Sequence, residues 1–474
     1  MISHEVKTVY LMGIGGIAMG TLAAMLSEKG FRVVGSDQNI YPPMSTHLET
    51  LRIPIRLGYD AKNVHDCPAD LFVIGNVIRK DNPEARYVLD RGLPYLSMPE
   101  AINRFFLPGR TSIVVAGTHG KSTTSSLLTW ALAGAGMDPS AFIGAFLKAW
   151  RKSYRLGCGP CMVIEGDEYD TAFFDKGPKF LHYQPQIGMI TSIEFDHADI
   201  FPNFDAVYDA FRRFVQIIPT DGFLIVNADD AHCLTVSGEC KGRVVTYGWS
   251  DSSDWRVHDV EYLAGEVRFT YRNPQDGREG VMTSRLPGRH NVSNTLAVMA
   301  AASAAGVPPE RIAEAIGVFS GVKRRQDIVG EVGGILVMED FAHHPTAVKE
   351  TLAGLSLFYP GRRLIAAFEP RTNSSRRSVF QTDYATAFDA AHCACIKEPP
   401  GMEAIPEAER MDAKRLVRDI RERGGESHHF ADTDSLMGFL IDYALPGDLV
   451  VCMSNGSFDG LPRRLLQTIA STSA

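Results

Sequence analysis

Short apolar runs punctuate the chain at the spacing of strands that alternate with helices. Residues 8–12 lead through a glycine loop into a helix-forming stretch from Ile17 to Lys29, and residues 113–116 repeat that order through GTHGKST into SSLLTWALAGAG. Further apolar runs at FRVVGSD, 70–78, 161–165, 187–193, 222–227, 335–338, 364–368 and 448–453 read as strands buried on both faces, because they lack polar alternation. This order predicts an α/β protein with mostly parallel sheets. Pro94, Pro99, Pro108 and Gly109 punctuate the approach to residue 113, and Gly321 precedes the last group of runs. The predicted domains are therefore 1–108, Rossmann-like; 109–320, with a mostly parallel sheet; and 321–474, again Rossmann-like. The hydrophilic stretch 251–279 predicts extra antiparallel strands.

Residues 8–26 are apolar for long enough to imitate a membrane-inserting or signal segment. Their four glycines, and Glu5 ahead of them, favour a buried strand, a loop and a helix instead. The chain is expected in the cytoplasm, with no membrane partner. A net charge of -8 without a basic stripe argues against nucleic acid, while small anionic substrates need only a local positive cluster. Eight cysteines in 474 residues do not make a disulfide framework. Cys158-Gly-Pro-Cys161 has redox-motif spacing but runs into the apolar MVIEGDEYD stretch rather than a helix. Cys393 and Cys395 alternate like inward positions of a strand and have no partners at metal-ligand spacing.

Chemistry enters with the two glycine loops. Gly13, Gly15 and Gly16 precede Asp37 at the end of FRVVGSD in the manner of a dinucleotide fingerprint, with Ala18 in place of its third glycine. Such a loop lets a diphosphate approach the backbone and suits UDP as well as NAD. In the second loop, Gly117 and Gly120 turn N–H groups toward an anion at a helix N-terminus, Lys121 adds a cation, and Ser122 supplies a hydroxyl for magnesium. A strict Walker pattern has glycine where Val115 stands, so GTHGKST is a shorter variant. An ordinary turn would explain the glycines but not Lys-Ser-Thr behind them. The middle domain thus reads as a P-loop ATPase type. Glu165 opens EGDEYD at the end of one predicted strand, and ITSIEFDHADIF ends the next, placing Glu194, Asp196 and His197 at the same rim. Singly these are surface acids or a hydrogen-bonded histidine. Together beside a phosphate loop they point to a metal–nucleotide site.

Six stretches, GTHGKST, EGDEYD, IEFDHADIF, LPGRHNVSNTLAV, GVKRRQD and EDFAHHPTAV, stand in the order and spacing of the Mur ligases, and the sequence resembles that family through all three predicted domains. The resemblance implies amide formation: ATP phosphorylates a substrate carboxylate, and an amine displaces phosphate from the acyl phosphate. Charge on the γ-phosphoryl group must first be neutralised, a task for Lys121 and two Mg2+ ions. By the same resemblance, Gly117, Thr118, His119, Gly120, Lys121, Ser122 and Thr123 hold the ATP phosphates. Ser122 and Glu165 hold the first ion, and Glu165 with His197 the second. Arg325 reaches the γ-phosphate, His290, Asn291 and Asn294 form the adenine side, and Asp340 meets the ribose. Read without the family, Asn291 and Asn294 are helix N-caps and Arg325 is a solvated charge. His343 falls near the amine or acyl phosphate, where an ordinary imidazole suits receiving a proton near neutral pH.

One departure selects a branch. Several family members carry a carbamylated lysine about fourteen residues beyond the histidine of the DH motif, His197 here, but no lysine stands between Lys179 and Lys241, and Phe211 falls near that position. This is similar to the branch that accepts UDP-N-acetylmuramate, whose lactyl carboxylate is free. Gly13, Gly15, Gly16, Asp37 and Asn76 of IGNVIRKDNPE resemble that branch, with the loop facing the UDP diphosphate. Two activities share the acceptor: addition of L-alanine in peptidoglycan biosynthesis, or of the tripeptide L-alanyl-γ-D-glutamyl-meso-diaminopimelate in recycling. SDQNIYPPMSTHLE, FEPRTNSSRR and MSNGSFDGL are similar to the second. A tripeptide brings several carboxylates, and Arg371, Arg376 and Arg377 supply more positive charge than alanine needs, with Arg377 set beside Lys121 and His343 among the catalytic groups. The same arginines could instead pair with surface acids.

Overall fold

The computed structural model describes residues 6–41, 44–274, 277 and 279–472; Glu5, Pro42 and Pro43 of the SDQNIYPPMSTHLE stretch, and residues 275, 276 and 278 lie outside them. The chain divides into two compact units, Met1–Ile193 with Asp205–Tyr247 and Ala297–Ala315, and Glu194–Phe204 with Gly248–Leu296 and Ile316–Ala474.

The first unit opens with a wholly parallel sheet in the order Ile55–Leu57, Arg32–Asp37, Thr8–Met12, Leu71–Ile74, Tyr95–Ser97. The segment that imitates a membrane span is strand Thr8–Met12 and helix Ile17–Glu28. Among the described residues no helix is long and apolar enough to cross a membrane. That helix is buried continuously from Met19 to Leu26, which is why it lacks an amphipathic stripe. Its polar groups are satisfied by the strand Lys152–Arg155: the Thr21 and Ser153 hydroxyls lie 2.6 Å apart, and Glu28 accepts from Lys152 Nζ and Tyr154 Oη, each at 2.8 Å.

The second sheet of this unit runs Arg243–Gly248, Phe223–Asn227, Ile187–Ile190, Thr111–Ala116, Cys161–Glu165, Ser140–Leu147, all parallel, with Lys152–Arg155 antiparallel at its edge. Its central strand, Thr111–Ala116, is buried from Ser112 onward. Leu127, Leu128 and Leu132 of the helix Lys121–Gly134 are fully buried, each contributing about 1.5–3 kcal/mol. The strand expected over 187–193 stops at Ile190, because the next residues bond the phosphate loop: Thr191 N–H donates to Ala116 O at 3.1 Å, and Ser192 O accepts from Thr118 N–H at 2.9 Å. Cys158 is exposed, Cys161 begins a strand rather than a helix, and all eight cysteines are free thiols.

The second unit contains the antiparallel strands Trp255–Leu263, Glu266–Arg272 and Glu279–Ser284, as the hydrophilic stretch predicts. Its larger sheet runs Asp327–Val332, Ile335–Asp340, Leu449–Met453, Leu364–Phe368, Cys393–Lys397, Glu426–Phe430; the first strand is antiparallel and the others parallel. Val348, Leu352 and Leu416 pack on one face, and Leu436, Leu440 and Leu465 on the other. Chain order reverses between Leu364–Phe368 and Leu449–Met453. In open α/β sheets ligands bind outside the carboxyl ends of strands at such reversals.

Candidate active site

Strand Thr111–Ala116 delivers the chain into GTHGKST at the carboxyl edge of its sheet, and helix Lys121–Gly134 starts there. Gly117 has φ 132° and Gly120 φ 79°, and a Cβ on Gly117 would lie 2.0 Å from Thr191 Oγ1; this loop therefore demands glycine. The end of the neighbouring strand pins it. His119 N–H donates to Ser192 Oγ at 3.1 Å, and Thr191 Oγ1 donates to His119 O. The first-turn N–H groups and the macrodipole of the helix favour an anion at this point.

Lys121 Nζ donates to Gly117 O at 2.7 Å and to the buried Glu168 Oε2 at 2.8 Å. Burial alone would depress the ammonium, but Glu168, Asp167 and Glu165 outweigh it and raise its pKa. Ser122 Oγ donates to Glu165 Oε1 at 2.8 Å, while Gly144 N–H donates to Oε2 at 2.7 Å. Burial and the charge of Asp167 raise the Glu165 carboxyl despite those donors. Burial also opposes ionisation of Asp167, but Lys179, 3.0 Å away, and Lys121 hold that carboxyl below its usual range. Ser122 and Glu165, which the resemblance assigns to the first ion, are thus hydrogen-bonded to each other. A hydroxyl and a carboxylate side by side are the hard oxygen donors that magnesium takes, so these residues fit the ion. Sequence reading used one of the four acids in EGDEYD. The partner Glu168 was readable from a general demand, that a lysine largely shielded from water needs a counter-charge. Phe211, in helix Phe204–Gln216, is fully buried with its ring 5.8 Å from that of Phe180, an apolar setting where other family members are expected to carry a charged lysine.

The first glycine loop is built differently. Gly13, at φ 80°, and Ile14 both donate through N–H to Ser36 O, at 2.9 and 3.1 Å. Asp37 Oδ2 accepts from Gly15 N–H at 2.7 Å, and Oδ1 from Asn39 N–H at 3.2 Å. A Cβ on Gly15 would fall 2.9 Å from Asp37 Oδ2, and Gly16 occupies the helix N-cap. Asn76 is half-buried in the turn after Leu71–Ile74, at the carboxyl end of that sheet.

In the second unit, the IEFDHADIF segment meets the loop after strand Ile335–Asp340. Asp196 Oδ2 lies 3.8 Å from His343 Nε2, and Asp196 Oδ1 accepts from His197 N–H at 2.7 Å. His197 itself has φ 54°. Burial would raise the Asp196 carboxyl, but His343, His197 and His344 outweigh it and hold it well below the usual carboxylate range. His343 Nδ1 is 2.9 Å from Phe341 O and so carries the proton in the neutral ring, leaving Nε2 basic. His344 Nε2 donates to Phe195 O at 3.2 Å, and Glu194 accepts from Thr346 Oγ1 at 2.6 Å. The Asp196–His343 pair escaped sequence reading because its members are remote in the chain.

Asn291 and Asn294 lie inside helix Arg289–Ala304, not at its cap. Asn291 Nδ2 donates to Pro287 O at 2.7 Å and to Gln326 Oε1 at 2.9 Å, and its oxygen accepts from Asn294 at 3.2 Å. His290 Nδ1 stands 3.9 Å from Glu350. Asp340 accepts from the N–H groups of Gln326 and Ala342, each at 2.6 Å; its burial outweighs these bonds and the charge of Arg325, so its pKa is raised. The Arg325 guanidinium sits 4.2 Å above the Phe341 ring rather than in open solvent. Of the three predicted substrate arginines, Arg376 donates to Pro400 O, Gly401 O and Asn373 Oδ1 at 3.1, 2.9 and 2.6 Å, and Arg377 pairs with Glu409. Only Arg371, 3.8 Å from Glu369, is not tied into the loop in this way.

The sequence matches the Mur ligase family catalytic domain over residues 8–108, the Mur ligase middle domain over 161–302 and the Mur ligase glutamate ligase domain over 324–456. It is 36% identical to the UDP-N-acetylmuramate–L-alanyl-gamma-D-glutamyl-meso-2,6-diaminoheptandioate ligase of Escherichia coli, covering 98% of each chain, and 34% identical to that of Haemophilus influenzae, covering 98% of this chain and 99% of the relative. The UDP-N-acetylmuramate–L-alanine ligase of Caldanaerobacter subterraneus is 32% identical, covering 98% of each chain. Among solved structures, a murein peptide ligase from Psychrobacter arcticus superposes with a TM-score of 0.73 at 33% identity, covering 98% of this chain and 99% of that one. Three domain matches in order, end-to-end identity above 30% and the shared α/β architecture agree: the chain belongs to the Mur ligase family.

Proposed function

We propose that this protein joins UDP-N-acetylmuramate to L-alanyl-γ-D-glutamyl-meso-diaminopimelate in an ATP-dependent, ADP-forming ligation that recycles peptidoglycan. The observation that carries the reading is the phosphate loop, where Lys121, bonded to the buried Glu168, and the Ser122–Glu165 pair stand at the mouth of a parallel sheet. Support for the tripeptide over alanine comes from the higher full-length identity to relatives named for the tripeptide, 36% and 34% against 32% and 33% for relatives named for L-alanine.

In this reading Gly117, Thr118, His119, Gly120, Lys121, Ser122 and Thr123 hold the ATP phosphates, and Gly13, Gly15, Gly16, Asp37 and Asn76 hold the nucleotide sugar. His290, Asn291, Asn294 and Asp340 serve the nucleoside, and Arg325 the γ-phosphate. Ser122 and Glu165 would hold one Mg2+ and Glu165 with His197 another; the ions supply positive charge against the phosphates. The lactyl carboxylate attacks the γ-phosphorus, ADP leaves, and the peptide amine then attacks the acyl carbon and expels phosphate. Lys121 balances charge on the transferring group. Nε2 of His343 accepts the proton of the attacking ammonium, and Asp196 stabilises the resulting imidazolium. Arg371, Arg376 and Arg377 meet the carboxylates of the peptide, with Arg377 acting beside Lys121 and His343 in the reaction. We also place the domain boundaries near residues 108 and 320, and the reaction in the cytoplasm, where ATP and nucleotide sugars are supplied.

The deciding measurement is phosphate release with ATP, Mg2+ and UDP-N-acetylmuramate, comparing the tripeptide with L-alanine. Higher kcat/KM for the tripeptide is expected. Strong preference for L-alanine would transfer the protein to the biosynthetic reaction, and release independent of any amine would remove the ligase reading altogether.

A further inference from the structure

Thiol, imidazole and carboxylate meet at the amino ends of two strands in the larger sheet of the second unit, away from the loops at its carboxyl ends. Cys393 and Glu426 open Cys393–Lys397 and Glu426–Phe430 as direct register partners, and Cys395 faces His428 two residues along. Register partners on neighbouring strands share a face, so all four side chains stand on the side where helix Thr433–Tyr443 packs. Glu426–Phe430 is the edge strand. Glu426 and His428 are therefore 43% and 34% exposed, beside a fully buried Cys393. The ligand partners missing from the sequence around Cys393 come from a remote strand.

One ligand atom each from Cys393, Glu426 and His428 lies within 4.8 Å of the other two. Glu426 Oε1 and His428 Nε2 are 3.0 Å apart, near the edge of about 3.3 Å that zinc–oxygen and zinc–nitrogen bonds set in a tetrahedron. Edges to the sulfur need about 3.6 Å, so the two exposed side chains close on the thiol by roughly 1 Å. Outer contacts orient each of the three. Tyr443 Oη donates to Glu426 Oε2 at 2.7 Å, leaving Oε1 toward His428, and the Arg363 guanidinium lies 4.9 Å over the Tyr443 ring. The His428 ring packs on Phe439 with centroids 4.6 Å apart. Cys395 Sγ, 3.9 Å from Cys393 Sγ, places an S–H beside the neighbouring sulfur. Contacts of this kind fix the direction of metal ligands.

A hydrogen bond between histidine and glutamate accounts for those two residues, and a buried thiol by itself is a small apolar group. Neither account needs the three to converge. We propose that Cys393, Glu426 and His428 bind a zinc ion, with water in the fourth position on the exposed side. Thiolate, imidazole and carboxylate together suit zinc, whereas magnesium and calcium take oxygen ligands. The thiolate and the carboxylate balance the two charges of the ion, so the filled site carries no net charge. Binding releases the Cys393 proton to solvent and leaves the single imidazole proton on His428 Nδ1, freeing Nε2 for the metal. The ion ties the edge strand to its neighbour and takes no part in the ligation at the opposite end of the sheet.

The test titrates the full chain, stripped with a chelator, with Co2+ alone and then with Zn2+. Wild type should show the thiolate-to-cobalt charge-transfer band and the strong visible bands of a tetrahedral site, and zinc should bleach both. Cys393→Ser should abolish the charge-transfer band, while Cys158→Ser, which removes an exposed thiol elsewhere, should leave it intact. Glu426→Gln and His428→Gln should each weaken zinc binding by about a hundredfold, and Tyr443→Phe by about tenfold. Zinc should also raise the unfolding temperature of wild type and not that of His428→Gln. The proposal is overturned by a wild type without the charge-transfer band, by a band that survives Cys393→Ser, or by zinc binding that neither Glu426→Gln nor His428→Gln alters. If Cys393→Ser proves too unstable to isolate, those two exposed positions decide alone. Phosphate release by the stripped protein with Mg2+ should stay within about twofold of the zinc-loaded protein, whichever amine the enzyme prefers. A larger loss would place the ion in the reaction and overturn its assignment as a strand clamp.

Discussion

The two glycine loops of the first unit share one plan, strand, tight turn, helix, yet they are closed by opposite charges. At Gly13–Gly16 the turn N–H groups are used internally, two on Ser36 O and one on the Asp37 carboxylate. At Gly117–Gly120 the turn is held by neutral groups of Thr191 and Ser192, and a lysine ammonium stands over it. Glycine therefore supplies access in both places, while the residue that closes the loop decides what is attracted. An acid at the first suits the hydroxyls of a nucleotide sugar; a cation at the second suits a transferring phosphoryl group.

The largest effect expected from this contrast is at Lys121. Lys121→Ala should lower ligation roughly 10³-fold, and it should also destabilise the protein by about 3–5 kcal/mol, because the buried Glu168 loses the 2.8 Å ion pair with Lys121. The double variant Lys121→Met with Glu168→Gln separates the two consequences. Denaturant unfolding should return toward the wild-type midpoint while phosphate release stays lost. Activity within tenfold of the wild type in either variant would break the contrast at its stronger side.

Next comes Glu165→Gln. The amide keeps the shape and can still meet Ser122 Oγ, but it surrenders the negative charge expected to meet Mg2+. Activity should fall about 10²-fold, with the Mg2+ activation curve displaced to higher concentration, and a chelator should abolish turnover of the wild type. An unchanged Mg2+ curve would show that the ion is held elsewhere. A smaller effect is expected at the first loop. Asp37→Ala removes the acceptor of Gly15 N–H and should raise KM for UDP-N-acetylmuramate by about five- to tenfold, with KM for ATP unmoved. A change confined to ATP would reverse the assignment of the two loops.

Legibility in the sequence followed distance along the chain. Strands such as Thr8–Met12 and Leu364–Phe368 stood out as unbroken apolar runs, since both faces are covered and no alternation interrupts them. Ser122 and Glu165 were readable together because Glu165 ends one strand of the sheet, Ser122 follows the loop after its neighbour, and the family resemblance joins the two. The strand end at Ile190 was not, because Thr191 and Ser192 look like strand residues until the loop they bond is known. Asp196 with His343, and Asn291 with Gln326, depend on how remote segments meet, which no local pattern encodes. Arg376 and Arg377 illustrate the converse. Their charge was visible, but only the fold reveals the backbone oxygens and Glu409 that hold the two side chains.

The smallest effect concerns the buried acids beneath each loop and tests the contrast through pH. Below the first loop, Glu84 accepts from Ser36 Oγ, from Asn63 Nδ2 at 2.7 Å and from Tyr10 Oη at 3.3 Å, all neutral donors, and burial raises its pKa in spite of them. Below the second, Asp167 also suffers burial, but Lys179 and Lys121 depress its pKa. The linkage signs are opposite. Glu84 contributes stability that is fully present below its unfolded pKa of about 4.3 and is lost as pH rises through the higher folded value. Asp167 contributes stability present above about 3.9 and lost as pH falls through its lower folded value. Replacing either acid by its amide adds a penalty that pH does not change, so only the pH-dependent part of the difference from wild type is informative. Measured by denaturant unfolding between about pH 2 and 7, the wild type should lose ground against Glu84→Gln as pH rises. Against Asp167→Asn it should lose ground only when pH drops toward the acid limit. Parallel curves for the two variants would mean that both acids are neutralised in the same way, and the distinction between a proton-held and a lysine-held loop would fail.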